Sequence, residues 1–171
     1  MIQRFRVPLG FVIAAAVIYL AHPTGTLILA GLPIALAGAL IRALAAGVIC
    51  KDSVLTTSGP YAWTRNPLYL GSLMLSVGFA VMSGSWTATA LILLPSLVVY
   101  PNVIQKEEAH LAQLFPDEYR DYCARVPRFV PRFRAVDGFF SLKQYLVNRE
   151  YETALGFAAV LAAFLLKWRL I

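Results

Sequence analysis

Charged residues are scarce in this sequence. Only 14% of its 171 residues are Asp, Glu, Lys or Arg, whereas 59% are hydrophobic, and the mean hydropathy is +0.68. Soluble domains usually have about 25% charged and about 45–50% apolar residues. The composition therefore excludes a cytosolic globular enzyme and a disordered chain. The length suits a single membrane domain with room for at most five or six spans of about 20 residues.

Cysteine and histidine are also rare, with two of each in the chain. Cys50 and Cys123 are too few for a disulfide scaffold, and neither has a nearby histidine that would complete a zinc site. His22 and His110 are isolated, so no metal site is predicted. The sequence also lacks a dinucleotide fingerprint, a P-loop, a zinc-protease motif and a nucleophile elbow. These absences argue against a metalloenzyme and a serine hydrolase.

Apolar runs fill most of the chain and predict its fold. They cover residues 7–21, 27–50, 68–82, 86–104 and 151–171. Short uncharged connectors, 22–26 and 83–85, join the first two and the next two runs, which predicts two helical hairpins. The predicted fold is all-α, a polytopic membrane bundle of about five helices, in which 151–171 is a further predicted span.

The few charges are distributed unevenly. Apart from Lys167 and Arg169, nearly all of them lie in 4–6, 51–65 and 106–150, which the two hairpins place on one membrane face. The positive-inside rule makes this face cytoplasmic and explains the net charge of +6 as an orientation signal. A cleaved signal peptide is disfavoured because 19–21 is not a small-x-small cleavage site. We therefore expect an integral protein of the cytoplasmic membrane.

The second apolar run carries small residues at every fourth position. They predict a ridge on which another helix can pack closely, and they are Gly31, Ala35, Ala39, Ala43 and Gly47. Arg42 lies on the same predicted helix. Two interpretations stay open for it: the side chain snorkels to the cytoplasmic interface, or it faces a polar cavity and meets an anion there.

Two polar stretches, 56–71 and 105–122, flank the second hairpin. Because the hairpin returns the chain to the same face, Arg65 is predicted to lie close to Glu107 and Glu108. An arginine beside a helix N-terminus favours an anion, and carboxylates accept hydrogen bonds from amines or ribose hydroxyls. The alternatives are that the Glu pair is a solvated helix end, or that one Glu is simply the partner of Arg65.

The first of these stretches contains turn and cap residues. Gly59-Pro60 predicts a turn, and Asn66-Pro67 predicts a helix that starts at proline with asparagine as its cap. Aromatic residues surround this loop, namely Tyr61, Trp63 and Tyr69. They could stack on a ligand, but an interfacial aromatic belt would have the same composition.

A basic and aromatic segment follows the second polar stretch. Residues 126–129 are repeated as 130–133, with Arg134 next, and apolar residues then recur at near-helical spacing at Phe139, Leu142, Tyr145 and Leu146. The pattern predicts an amphipathic strap over 135–150 that lies on anionic lipid headgroups. Nucleic-acid binding is disfavoured because the strap is tethered to spans at both ends.

These motifs occur together in a known family. The order and spacing of Gly59-Pro60-Tyr61, Arg65-Asn66-Pro67-Leu68-Tyr69-Leu70-Gly71, Glu107-Glu108, Phe115, Glu118-Tyr119, Tyr122 and Val126-Pro127 resemble the isoprenylcysteine carboxyl methyltransferase family, within the wider group that includes phospholipid methyltransferases. The resemblance covers about residues 40–134. Together with the apolar runs, it predicts one domain, 1–171, with an N-terminal hairpin (1–50), a catalytic core (51–134), the strap (135–150) and the C-terminal helix (151–171).

The resemblance also implies an activity: transfer of a methyl group from S-adenosylmethionine to a lipophilic or lipidated acceptor, with carboxyl O-methylation favoured. A cytoplasmic pocket would hold the cofactor. Its residues, carried over by motif, would be Gly59, Tyr61, Arg65, Asn66, Pro67, Tyr69, Leu70, Gly71, Glu107 and Glu108. Of these, Arg65 and Glu108 would be the catalytic residues.

The sequence departs from the family in two places. Asn66 stands where the motif usually has histidine, so an acid–base role at this position is in doubt, and residues 151–171 extend beyond the family core. Two rival interpretations remain: an NADPH-dependent membrane reductase of related helical plan, and a non-catalytic membrane adaptor or lipid-binding protein of the same fold. The acceptor stays open among a carboxylate, an amine and a thiol, and so does the oligomeric state.

Overall fold

The computed structural model of the protein describes residues 6–133, 137–138 and 140–170. These residues form seven α-helices and no strand, which confirms the predicted all-α class. The helices are α1 (Arg6–Leu20), α2 (Gly25–Ala46), α3 (Pro67–Ser83), α4 (Trp86–Leu114), α5 (Pro116–Arg125), α6 (Leu142–Val147) and α7 (Tyr151–Leu170). A short 3₁₀ turn, Gly59–Ala62, precedes α3.

In the described part of the chain, three helices, α2, α4 and α7, are long and apolar enough to cross a membrane. The apolar stretches Gly10–Leu20 and Pro67–Ser83 are shorter, so the count of five spans stays a prediction. Two predicted boundaries were wrong. Helix α2 ends at Ala46 rather than at Cys50, and α4 continues past Ile104 to Leu114. The extension forms because 105–114 is rich in good helix formers, and it places Glu107 and Glu108 on a helix.

Glycines allow α2 and α3 to pack backbone against backbone. A Cβ at Gly38 would lie 2.5 Å from the carbonyl oxygen of Gly71, and one at Gly71 would lie 2.6 Å from that of Gly38. Gly31 and Gly78 meet in the same way about two turns further along. Small residues at such contacts are typical of helix association in membranes.

The predicted ridge on α2 is therefore only partly correct. The contacting row runs through Gly31, Ala35 and Gly38, whereas Ala39 and Ala43 lie to its side. A strict four-residue repeat drifts around a helix of 3.6 residues per turn, so a straight row alternates steps of four and three. Gly47 lies beyond the end of α2 and packs against the Phe140 ring instead.

The two short connectors meet at one end of the bundle. The amide of His22 donates to the carbonyl of Ser83 at 2.6 Å, and Gly84 ends α3 in the left-handed conformation (φ 61°). At the same end, Lys167 Nζ donates to the carbonyls of Ile18 (2.8 Å) and Tyr19 (2.6 Å). Lys167 thus caps the C-terminus of α1, where a cation is favourable, which explains its place outside the charge pattern.

The predicted strap is less helical than its spacing suggested. Within it, α6 has only six residues, with the Ser141 hydroxyl accepting from the amide of Gln144 at 3.2 Å. The Asn148 side chain donates to the carbonyls of Ala46 (2.8 Å) and Ile49 (3.1 Å), so the segment crosses the end of α2. The predicted apolar residue Phe139 and the basic Arg134 lie outside the described residues.

Candidate active site

A cavity of about 430 Å³ opens at the end of the bundle opposite to Lys167, where α2 and α4 end and α3 begins. Its walls come from the end of α2, the loop before α3, the last turns of α4, and α5. The lining residues are Arg42, Ile49, Cys50, Lys51, Asp52, Val54, Leu55, Thr56, Tyr61, Arg65, Asn66, Pro67, Leu68, Tyr69, Glu107, Glu108, His110, Leu111, Tyr119 and Tyr122. This volume lies within the usual range for small-molecule sites.

The loop before α3 is held in place by the segment that follows α5. The amide of Arg65 donates to the carbonyl of Pro127 at 2.9 Å, and the amide of Arg132 donates to the carbonyl of Trp63 at 3.0 Å. The Thr64 hydroxyl donates to the carbonyl of Arg128 at 3.2 Å. These bonds explain why the two motifs occur together: the Val-Pro segment provides the backbone acceptors that position the arginine loop.

Arg65 and Glu108 lie next to each other, which confirms the proximity predicted from the hairpin. Arg65 Nη2 is 3.7 Å from Glu108 Oε1, and both side chains are largely buried. Burial opposes the positive charge of Arg65, but the neighbouring Glu108 carboxylate outweighs it, and the pKa of Arg65 lies above its ordinary value. The guanidinium is therefore a permanent cation in the cavity wall.

Glu108 is the centre of a polar cluster. Its Oε1 accepts from Asn66 Nδ2 at 3.2 Å in addition to facing Arg65, and its Oε2 pairs with Arg128 Nε at 3.0 Å. Glu107 points elsewhere, with its Oε1 accepting from the Tyr69 hydroxyl at 2.7 Å. The two adjacent carboxylates thus have different environments: Glu108 is occupied by protein donors, whereas Glu107 is exposed at the cavity.

Asn66 occupies the predicted cap position but does not cap the helix. Pro67 is the first residue of α3, as predicted, yet the Asn66 side chain makes no cap hydrogen bond. Its Nδ2 instead donates to Glu108 and, at 2.9 Å, to the carbonyl of Arg128. These two acceptors fix the orientation of the Asn66 side chain, so its oxygen is not directed at the first amides of α3.

Seven of the ten residues predicted for the cofactor pocket line this cavity: Tyr61, Arg65, Asn66, Pro67, Tyr69, Glu107 and Glu108. The other three lie elsewhere. Gly59 has a positive φ of 56° and donates its amide to the carbonyl of Asp137 at 3.1 Å. Gly71 faces α2, and Leu70 follows Tyr69 on α3 without reaching the lining.

Arg42 faces the cavity rather than the interface, and its anion is an internal carboxylate. Its Nε and Nη2 form a bidentate pair with Glu150 at 2.7 and 2.8 Å. Nη2 also donates to Thr153 at 3.1 Å, and Nη1 donates to the hydroxyl of Ser72 and the carbonyl of Leu68. Arg42 therefore connects α2, the first turn of α3 and the start of α7.

Several residues of this region were missed by sequence reasoning. The segment 49–56 forms one wall, and there Asp52 pairs with His110 at 3.1 Å, so His110 is not isolated. The Cys123 thiol contacts Arg65, and the Tyr119 hydroxyl lies beside the same thiol. The tyrosines of α5 and the Val126-Pro127 segment after it were visible as part of the family motif. No local pattern marks Glu150 or Cys123, because only the tertiary fold brings them to the site.

The region that forms the cavity is similar in sequence to proteins of known families. Residues 43–118 match the phospholipid methyltransferase family. The chain is 35% identical over 81 residues to the protein-S-isoprenylcysteine O-methyltransferase of Schizosaccharomyces pombe, which covers 47% of this chain and 34% of that protein. It is 34% identical over 82 residues to the human enzyme of the same name, covering 48% of this chain and 29% of that protein. The predicted resemblance is confirmed.

Bacterial relatives with other names are also similar. The cobalt-zinc-cadmium resistance protein CzcN of Cupriavidus metallidurans is 40% identical over 88 residues, covering 52% of this chain and 40% of that protein. The nickel-cobalt-cadmium resistance protein NccN of Alcaligenes xylosoxydans xylosoxydans is 39% identical over 98 residues, covering 57% of this chain and 44% of that protein. In all four comparisons the chain spans less than half the length of the relative. No solved structure matches the chain.

Proposed function

We propose that the protein is an integral membrane methyltransferase that uses S-adenosylmethionine and methylates a lipophilic acceptor, with carboxyl O-methylation as its reaction. One observation carries the proposal: Arg65, Asn66 and Tyr69 meet Glu107 and Glu108 across a single cavity. Both groups belong to the 43–118 stretch that matches the phospholipid methyltransferase family.

The cavity residues fit this cofactor. Its ammonium and ribose hydroxyls are donors, and the exposed carboxylate of Glu107 is an acceptor in the wall. Its carboxylate needs a cation, which Arg65 provides. Tyr61 and Tyr69 offer aromatic faces for a positively charged sulfur. Burial, followed by the nearby Tyr122 and Glu107, raises the pKa of Tyr61, so this ring stays neutral. S-adenosylmethionine, when bound, supplies an electrophilic methyl group.

The roles of the protein follow from binding and desolvation. Methyl transfer to a carboxylate needs in-line alignment and the exclusion of water rather than a general base. Asn66, which cannot titrate near neutral pH, is compatible with such a reaction. Arg65 would orient an anionic group, and Glu108 would hold Arg65 and Arg128 in place. Glu107 would bind the cofactor.

An apolar groove beside the cavity supports a lipophilic acceptor. It has a volume of about 270 Å³, lies between α3 and α4, and is lined by Leu73, Ser96, Leu97, Tyr100, Pro101, Ile104, Arg128 and Phe129. It adjoins the cavity at two points: Tyr100 packs edge-on against Tyr69, and Arg128 pairs with Glu108. An apolar tail in this groove would have its polar end near the cavity, which we propose faces the cytoplasm.

Titration calorimetry on the purified protein tests the cofactor assignment. We expect S-adenosylmethionine and S-adenosylhomocysteine to bind, and Glu107→Gln to weaken binding about tenfold, as for the loss of one charge-assisted hydrogen bond. Glu118→Gln, an exposed carboxylate of α5 outside the cavity, is the matched control and should bind like wild type. NADPH should produce no thermal shift. Absence of binding to wild type, or stabilisation by NADPH alone, contradicts the assignment.

A further inference from the structure

Two polar groups in the cavity wall lack suitable partners. Among the described residues, the Nε of Arg65 and the hydroxyl of Tyr119 are buried without a hydrogen-bond partner. Tyr119 is only 6% exposed, and both side chains line the cavity. Buried polar groups in native proteins are nearly always paired, so two orphaned donors in one wall need an explanation.

The groups around these donors offer them poor acceptors. Arg65 Nη1 contacts the Cys123 thiol, and the Tyr119 hydroxyl lies beside the same sulfur. A thiol is a weak acceptor. Glu108, the nearby carboxylate, is 3.7 Å from Arg65 and is already bonded to Asn66 and Arg128. The donors therefore have the chemistry of a binding site in which the acceptor comes from a ligand.

The local charge also favours an anion. Arg65 and Arg128 carry two positive charges against the single negative charge of Glu108. The other carboxylate nearby, Glu107, is directed to the Tyr69 hydroxyl. Burial, followed by the Glu108 carboxylate, raises the pKa of Tyr119, so its hydroxyl remains a donor at physiological pH.

We propose that Arg65 and Tyr119 form a carboxylate-binding site, in which Arg65 exchanges the Cys123 thiol for a ligand carboxylate and Tyr119 donates the second hydrogen bond. Tyr119 is thereby a binding residue that the motif comparison did not assign. The inference rests on the proposed function for the source of the carboxylate: it belongs either to the amino-acid end of S-adenosylmethionine or to the acceptor.

The variant Tyr119→Phe tests the site because it removes only the hydroxyl. An orphaned hydroxyl costs stability, so the ligand-free variant should melt at the same temperature as wild type or higher. Tyr122→Phe is the matched contrast, because the Tyr122 hydroxyl donates to the carbonyl of Tyr61 at 2.7 Å, and its loss should lower the melting temperature. If Tyr119→Phe lowered the melting temperature as much as Tyr122→Phe, the Tyr119 hydroxyl would have to be hydrogen-bonded in the folded protein. That result would overturn the inference.

Three probes identify the ligand group. Acetate, which carries a carboxylate and needs no cofactor site, should raise the melting temperature of wild type more than that of Tyr119→Phe. S-adenosylhomocysteine should bind Tyr119→Phe about tenfold more weakly if the site holds the amino-acid carboxylate, whereas 5′-methylthioadenosine, which lacks that group, should bind both proteins equally. If the carboxylate is the acceptor's, the variant should instead raise KM for S-farnesylcysteine, used as a lipid-linked carboxylate.

These outcomes separate the two proposals. If wild type binds no adenosyl ligand but acetate still discriminates between wild type and Tyr119→Phe, the carboxylate site stands and the cofactor assignment fails. The carboxylate site is overturned if wild type and Tyr119→Phe show the same thermal shift with acetate, the same affinity for S-adenosylhomocysteine and the same KM for S-farnesylcysteine. This holds even if the enzyme is active.

Discussion

At the scale of single residues, Arg42 shows how a charge is accommodated within a membrane helix. Its side chain is only 20% exposed and that of Glu150 only 8%. The pair has a bidentate geometry with further bonds to Thr153, Ser72 and Leu68. A buried charge is tolerable when it is paired and fully hydrogen-bonded. Arg42 therefore positions the first turn of α3, which carries Pro67 and Tyr69, rather than awaiting a ligand.

Removal of Glu150 should be costly for this reason. We expect Glu150→Gln to lower the free energy of unfolding by about 3 kcal/mol, because it leaves the Arg42 charge buried and unpaired. The measurement is unfolding in detergent micelles, followed by circular dichroism. Glu152→Gln, which breaks the exposed pair with Arg149, should change stability little. If both variants lowered the free energy of unfolding equally, the pair of Arg42 with Glu150 would not be structurally important.

The residue scale also shows the limit of sequence reasoning. Arg65 and Glu108 were predicted to be neighbours because a hairpin of two helices has one geometric outcome. For Arg42, the sequence left two alternatives open, the cytoplasmic interface and a polar cavity. Its partner lies 108 residues away in the chain, and no periodicity connects the two positions. The same holds for Cys123. Nothing in the sequence around it distinguishes it from an ordinary helix surface residue, and only the packing of α5 beside Arg65 places it at the site.

At the scale of elements, the contact of α2 with α3 determines where the cavity forms. The two helices approach through Gly38 and Gly71, whose backbones touch. This contact brings Arg42 of α2 onto the first turn of α3. The predicted ridge identified the correct helix and its start, Gly31 and Ala35, but not the continuation to Gly38. A four-residue repeat in the sequence is conspicuous, whereas helical geometry selects the 4–3 alternation.

Substitution of Gly38 should therefore separate the helices. We expect Gly38→Ala to destabilise the protein by about 1–3 kcal/mol, because the new Cβ would lie 2.5 Å from the carbonyl oxygen of Gly71 and overpack the contact. It should also weaken S-adenosylhomocysteine binding, since α3 carries cavity residues. The control is Gly156→Ala on α7, where no atom lies within 4 Å. A Gly38→Ala protein as stable as Gly156→Ala would contradict this packing.

At the scale of the whole molecule, helix α7 connects the two ends of the bundle. It begins beside Arg42 at the cavity end, and Lys167 near its other end caps α1 beside the short connectors. Its 20 residues extend about 30 Å, the thickness of a bilayer core. The all-α class and the hairpins could be predicted because apolar runs and uncharged connectors are local features. The packing of helices around α7 could not be predicted, because it depends on contacts of Glu150 and Lys167 with residues that are far away in the sequence.

Topology reporters test this arrangement. A reporter fused after residue 171 should lie on the membrane face opposite to one inserted in the exposed 51–54 segment, because α7 spans the full height of the bundle. Cys50, which is exposed at the cavity end, should react with an impermeant maleimide only from the side of the 51–54 reporter. Both reporters on the same face would show that α7 does not cross the membrane.

The central claim is that the cavity around Arg65, Glu107 and Glu108 is the methyl-donor site of an active enzyme. Its most direct test is the transfer of a labelled methyl group from S-adenosylmethionine into an extract of total lipids and thiols. We expect wild-type protein to label a lipophilic product that releases methanol in base, as a methyl ester does, and Glu107→Gln to label it far less than Glu118→Gln. Binding of S-adenosylmethionine without labelling above that of heat-inactivated protein would contradict the claim and identify a non-catalytic membrane protein of the same fold.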